Sequence, residues 1–195
     1  MRTATVTRTT RETDITIELN LDGSGTASAR TGLPFFDHML EALGKHARCD
    51  LTIVARGDLE VDPHHTVEDT GIVLGQALAR ALGEKASIRR FGSAIVPMDE
   101  ALALAALDIS GRPHLSFTAD IGDELIGTFK TDLVEEFFTA FVNAAGLTLH
   151  IQLLAGKNAH HKVEAIFKAV AQALANAIAI DDRIAGVPST KGVLE

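Results

Sequence analysis

LTIVARGDLEVDPHHTVEDTGIVLGQALARAL (residues 51–82) and LTLHIQLLAGKNAHHKVEAIFKAVAQALANAI (residues 147–178) align without a gap, at a constant offset of 96. Leu51-Thr52 falls on Leu147-Thr148, and Gln76-Ala77-Leu78-Ala79 on Gln172-Ala173-Leu174-Ala175. Alanine-rich helices resemble one another by composition alone, so the last match says little. The match of His64-His65-x-Val67-Glu68 with His160-His161-x-Val163-Glu164 is not compositional. Each copy begins as a short apolar strand, crosses a polar stretch and continues with helical periodicity. The helices upstream also correspond, with Asp37-His38 near Glu135-Glu136. The chain therefore reads as two similar halves, 1–90 and 91–195, forming one compact catalytic unit. The fold class is α+β: two repeated βαβ-type halves, with helices on one face of mostly antiparallel sheets.

Working outward, alternation at Ile15, Ile17, Leu19 and Leu21 marks strands within 3–30, with a turn at Asp22-Gly23-Ser24-Gly25. Pro34 opens a helix that ends near Gly44. Asp62 is placed as the N-cap of the first HHxVE helix, with Pro63 at its first position and an end near Leu82. Strands are expected around 89–97, 101–109 and 113–119, then a helix over 132–145. Asn158 caps a long helix over 159–179. The tail is IAGVPSTKGVLE.

Composition narrows the function. With 46% hydrophobic and 23% charged residues, the chain is an ordinary globular one. A net charge of -8 argues against nucleic acid as a partner. Cys49 is the single cysteine, so no intrachain disulfide forms, and a cytoplasmic location fits. No apolar run has membrane-spanning length.

On the helix after Ala159, at about 100° per residue, Val163, Phe167, Val170, Leu174 and Ile178 make one apolar stripe. His160 and Glu164 lie at its edge at i and i+4, close enough to share an ion. His161 points about 100° away and suits a different ion. The same geometry holds for His64, Glu68 and His65. Packing does not require imidazoles and a carboxylate beside an apolar stripe twice, so the pattern points to a two-metal centre. Imidazole plus carboxylate suits Mn, Fe, Ni or Zn, and the sequence leaves the metal open. His38 and its counterpart Glu136 are further candidate ligands. His114 and His150 read as structural, and Asp99 is as readily structural as functional.

FFDHMLEALGKH (35–46), DPHHTVEDTGIVLGQAL (62–78), RRFG (89–92), PMDEALA (97–103), DISGRP (108–113), EEFFTAFVNAAGLTLHI (135–151), GKNAHHKVEAIFKA (156–169) and GVPSTKG (186–192) together resemble the imidazoleglycerol-phosphate dehydratase family. The resemblance implies halves similar to a ribosomal-protein domain and a 24-subunit shell built from trimers. It implies two Mn ions per subunit, at subunit interfaces. By motif position the ligands are His38, His64, His65, Glu68, Glu136, His160, His161 and Glu164. Some members have His where this chain has Glu136, and a carboxylate can fill that place. Glu12 is the proton-transfer candidate, and Glu68 and Glu164 complete the catalytic carboxylates. Glu12, His46, Arg90, Arg112, Lys168, Ser189, Thr190 and Lys191 would bind the substrate and its phosphate.

The chemistry explains the need for metal. The proton to be removed sits beside no carbonyl, so a simple base faces a high barrier. Metals on both ring nitrogens would favour an imidazolate that expels hydroxide through a diazafulvene-like intermediate. A di-metal hydrolase of a small phosphorylated substrate would use the same HHxxE pairs, and phosphate release would distinguish it. A structural-metal or storage protein would have closed ligand sets and no arginines for phosphate.

Overall fold

Alternation decides which face of each strand is buried. In the strand Thr13–Asn20 (β2, after β1 at Thr3–Thr9), Thr13, Ile15, Ile17 and Leu19 are buried while Asp14 and Glu18 face out. The structure, a computed structural model, describes residues 1–194. The chain continues through β3 (Ala27–Arg30), α1 (Pro34–Ala47), β4 (Asp50–Gly57) and α2 (His64–Leu82). Then come β5 (Phe91–Met98), β6 (Ala101–Asp108), β7 (His114–Thr118), β8 (Leu125–Ile126) and β9 (Phe129–Lys130). The last elements are α3 (Leu133–Ala145), β10 (Thr148–Ala155) and α4 (Ala159–Ile178).

The two large sheets have the same topology. One has the order β1-β2-β4-β3 and the other β5-β6-β10-β7. In each, two neighbouring pairs are antiparallel and the last, β3–β4 or β7–β10, is parallel. A parallel pair needs a crossover, and α1 and α3 supply it. The repeat read from 51–82 and 147–178 is thus a repeat of whole-sheet topology.

The helices lie between the sheets. α2 packs on β1 and β2, α4 on β5 and β6, α2 against α3, and α1 against α4. This position corrects the one-stripe reading of α4. Ala165, Ile166, Ala169, Ala171, Ala173 and Ala177 are buried along with Val163, Phe167, Val170, Leu174 and Ile178. A helix with a sheet on one side and a helix on another buries most of its circumference. The α2–α3 crossing is close because Gly71 and Gly75 carry no Cβ; one built there would lie 2.6 Å from the Phe137 carbonyl oxygen and 2.5 Å from that of Phe141.

Several boundaries differ from the sequence expectation. α1 runs on to Ala47 and closes with Arg48 in the left-handed region at φ 59°. α2 begins at His64, with Pro63 at the cap. Asp62 still satisfies a free helix donor, because its Oδ1 accepts from the His64 N–H at 2.7 Å. The strand expected from Arg89 starts at Phe91, and the short β8–β9 hairpin was not anticipated. Two-residue strands carry too few positions for an alternation signal. Asn158 caps α4 as expected, accepting from the His161 N–H at 3.3 Å.

Candidate metal centre

The α1–α4 contact brings together residues far apart in sequence. One donor atom each from His38, His160 and Glu164 lies within 4.8 Å of the others. His160 Nε2 is 3.1 Å from Glu164 Oε2, as the i,i+4 spacing requires, and His38 Nε2 reaches the same oxygen at 3.7 Å. The other oxygen, Oε1, accepts from Lys168 Nζ at 2.6 Å. Glu164 is buried, with 8% of its side chain exposed, and burial opposes its ionisation. The Lys168 charge, then the histidines, outweighs burial and holds its carboxyl below the ordinary carboxylate value. Phe35 sets the edge of the site, its ring meeting that of His160 edge-on at 5.0 Å.

Two imidazole nitrogens and a carboxylate oxygen at this spacing suit a first-row divalent ion. Ligand atoms about 2.1 Å from a common ion sit at most about 4.2 Å apart, so the set closes by a few tenths of an ångström. An open cleft of about 540 Å³ runs from His38 and Glu164 past His46, Glu41, Lys45 and Lys168. Burial, then the neighbouring Lys168 charge, pushes the His46 pKa down.

The counterpart set behaves differently. Among the described residues, Glu136, His64 and Glu68 are not gathered as His38, His160 and Glu164 are. Glu136 is exposed on α3, and His64 and Glu68 are half-buried on α2. The two positions differ in chemistry: His38 lies 3.7 Å from the Glu164 carboxylate, while its counterpart Glu136 is itself a carboxylate.

The second histidine of each pair turns away, as the helix geometry predicts. His161 Nδ1 is 2.7 Å from Glu100 Oε2, on the β5–β6 turn. His65 Nδ1 is 3.1 Å from Asp58 Oδ2, and Glu12 Oε2 lies 3.9 Å from the same nitrogen. These carboxylates raise the pKa of both histidines. Thr13 and Arg8 both bond to the buried Asp69 of α2, tying the turn that carries Glu12 to the metal helix. Sequence reading missed Asp58 and Glu100. Glu100 stood inside a quoted motif, but its partner is 61 residues away, and no spacing rule spans that distance.

The phosphate candidates lie elsewhere. The Arg90 N–H donates to the Ala177 carbonyl, near the end of α4, while His160 and His161 stand at its start. At about 1.5 Å per residue, the two places are roughly 25 Å apart. Arg90 is also committed: it makes a two-point pair with Asp108 at 2.7 and 3.1 Å and donates to the Pro188 carbonyl at 3.0 Å. It therefore anchors the loop bearing Ser189, Thr190 and Lys191. Arg112 follows β6 at this same end and is exposed, as are Thr190 and Lys191. Lys168 is the exception, lining the metal cleft. His114 and His150, read as structural, are both exposed on the outer sheet face, their ring centroids 5.8 Å apart.

Fold and site together define a repeated α+β protein with a histidine–carboxylate cluster between its helices that could hold a metal ion. Residues 31–174 match the family model described as imidazoleglycerol-phosphate dehydratase. Proteins of that name from Symbiobacterium thermophilum and Lacticaseibacillus casei are 58% identical over 193 residues and 56% identical over 194. These matches cover 99% and 100% of this chain, and 93% and 100% of the relatives. The crystal structure of the Staphylococcus aureus protein of that name superposes with TM-score 0.83 at 43% identity, covering 92% of this chain and 99% of that one. The structure of the IGPD from Pyrococcus furiosus superposes at 0.84 with 41% identity, covering 97% and 100%. The chain belongs to the imidazoleglycerol-phosphate dehydratase family, and it is a hydro-lyase. Among the described residues, no helix is long and apolar enough to cross a membrane.

Proposed function

We propose that the chain dehydrates imidazoleglycerol phosphate to its 2-oxo phosphate product in histidine biosynthesis, using two Mn ions per subunit. The observation that carries the reading is the convergence of His38, His160 and Glu164 in a cleft that also holds Lys168 and His46. By the repeat, His64, Glu68 and Glu136 hold the second ion, and His65 and His161 offer ligands outward, toward neighbouring chains. Held by these residues, the ions would supply Lewis-acid chemistry to the substrate's imidazole ring and ease loss of its hydroxyl.

The residues of the chain do the rest. Lys168 keeps the Glu164 carboxylate ionised and aimed at the histidines. Glu12, exposed on its turn beside His65, is the group placed to move the proton. Arg112, Ser189, Thr190 and Lys191 bind the phosphate, with Arg90 holding their loop in place. The separation of roughly 25 Å along α4 favours a site shared between subunits, since one chain cannot present both ends to a small substrate. Self-association into a 24-subunit shell fits the exposed apolar side chains Phe91 and Ile95 on the outer face of β5. In this reading the repeats 1–90 and 91–195 work as one catalytic domain, and a cytoplasmic setting fits a single buried thiol whose pKa burial pushes up to about 12.

The test is turnover of imidazoleglycerol phosphate with Mn, following the ketone product and free phosphate. Ketone without phosphate release supports the reading. Phosphate release replaces it with the di-metal hydrolase.

A further inference from the structure

The contacts of the two outward histidines reach beyond their role as ligands. Each presents Nδ1 to a carboxylate from a different part of its half: Glu100 from the β5–β6 turn for His161, and Asp58 from the end of β4 for His65. An ionised carboxylate only accepts hydrogen bonds, so Nδ1 must be the nitrogen that carries the proton. In a neutral imidazole, Nε2 is then left with its lone pair. Asp99 Oδ2, 3.6 Å from Nε2 of His161 and on a side chain 72% exposed, is too distant to bond it.

We propose that Glu100 and Asp58 are positioning residues that lock His161 and His65 as Nδ1–H tautomers with Nε2 free to take a metal. This rests on the metal reading given above. A carboxylate behind a ligating histidine fixes the ring's orientation and raises its basicity.

The two halves divide the work differently. Glu12 and Glu100 occupy equivalent places, each immediately before the second strand of its sheet, β2 or β6. Glu100 stands against its histidine, whereas Glu12 is held back at 3.9 Å because Asp58 has the nearer place at 3.1 Å. Asp58 therefore leaves Glu12 unengaged, in the half where a free carboxylate is available for proton transfer. In the other half the equivalent carboxylate is used up in orientation.

Glu100 has a second anchor that makes the test specific. Its Oε1 accepts from the backbone N–H groups of Lys157 and Asn158 at 3.1 and 2.8 Å. In Glu100→Gln the amide oxygen keeps those two bonds, so the fold is retained. The amide nitrogen must then face Nδ1 of His161. A donor there forces the ring to the Nε2–H tautomer, which cannot ligate. Asp58 makes no such backbone bonds, so Asp58→Asn turns its oxygen toward His65 and keeps the tautomer, while Asp58→Ala releases the ring.

The experiment records 15N shifts of the histidine rings in chelator-treated protein, at a pH where the rings are neutral. It then measures Mn affinity by competition with a chromophoric chelator. Expected are an inverted tautomer for His161 in Glu100→Gln and a 10- to 100-fold loss of Mn affinity in Glu100→Gln and Asp58→Ala, with Asp58→Asn near wild type. An unchanged His161 tautomer in a folded Glu100→Gln protein overturns the proposal, as does unchanged affinity in both Glu100→Gln and Asp58→Ala. Wild-type protein that binds no Mn would instead defeat the metal reading, and the tautomer result would still judge the positioning role.

Discussion

Replacing Lys168 by methionine removes a positive charge while keeping an apolar stem of similar length. Glu164 Oε1 then loses its 2.6 Å partner on a side chain that is 8% exposed. A buried charged group left without its hydrogen-bond partner costs about 1.5–3 kcal/mol. For a chain of this size that corresponds to a fall in melting temperature of about 3–12 °C. The pH dependence follows from the lowered Glu164 pKa. A carboxyl whose folded value lies below its unfolded one stabilises fully above the unfolded value, and the contribution is lost as pH falls through the folded value. Without Lys168 the folded value rises, so the acid-side loss of stability moves to higher pH. Added Mn, bound by the same carboxylate, restores positive charge and narrows the gap between variant and wild type. The assay is thermal unfolding by circular dichroism across pH, with chelator and with Mn. An identical loss with and without Mn would show that Lys168 acts by packing alone. No loss at all would show that the Glu164–Lys168 pair does not hold the site.

Dialysis against a chelator should abolish activity and Mn should restore it, with elemental analysis finding two ions per chain; activity in metal-free protein would end the metal reading. Arg112→Ala and Lys191→Ala should each raise KM about 10- to 100-fold with little change in kcat, because phosphate binding is common to ground and transition states. Mixing inactive His160→Ala chains with Arg112→Ala chains, followed by dissociation and reassembly, should restore turnover at the low wild-type KM in about a quarter of randomly paired shared sites; a mixture that keeps only the raised KM of Arg112→Ala would place both ends of the site in one chain. Gly71→Ala puts a Cβ 2.6 Å from the Phe137 carbonyl oxygen and should destabilise the fold by about 1–3 kcal/mol, measured by urea unfolding.

The sequence by itself determined the repeat, the order of the main elements and the identity of the metal-binding types. Those features are written in local periodicity and in motif spacing: alternation buries Ile15, Ile17 and Leu19, and i,i+4 spacing sets His160 beside Glu164. Divergence of His161 from His160 is equally local, because about 100° per residue separates any two successive helical side chains. Tertiary structure decided what one helix cannot. It brought His38 to Glu164 across the α1–α4 contact, and Glu100 to His161 from a turn 61 residues away. It also assigned Arg90 to Asp108 and the tail loop, and set the phosphate candidates at the far end of α4 from the metal histidines. Sequence spacing governs side chains within about one or two helical turns. Beyond that range, the packing of helices between two sheets chooses which groups meet.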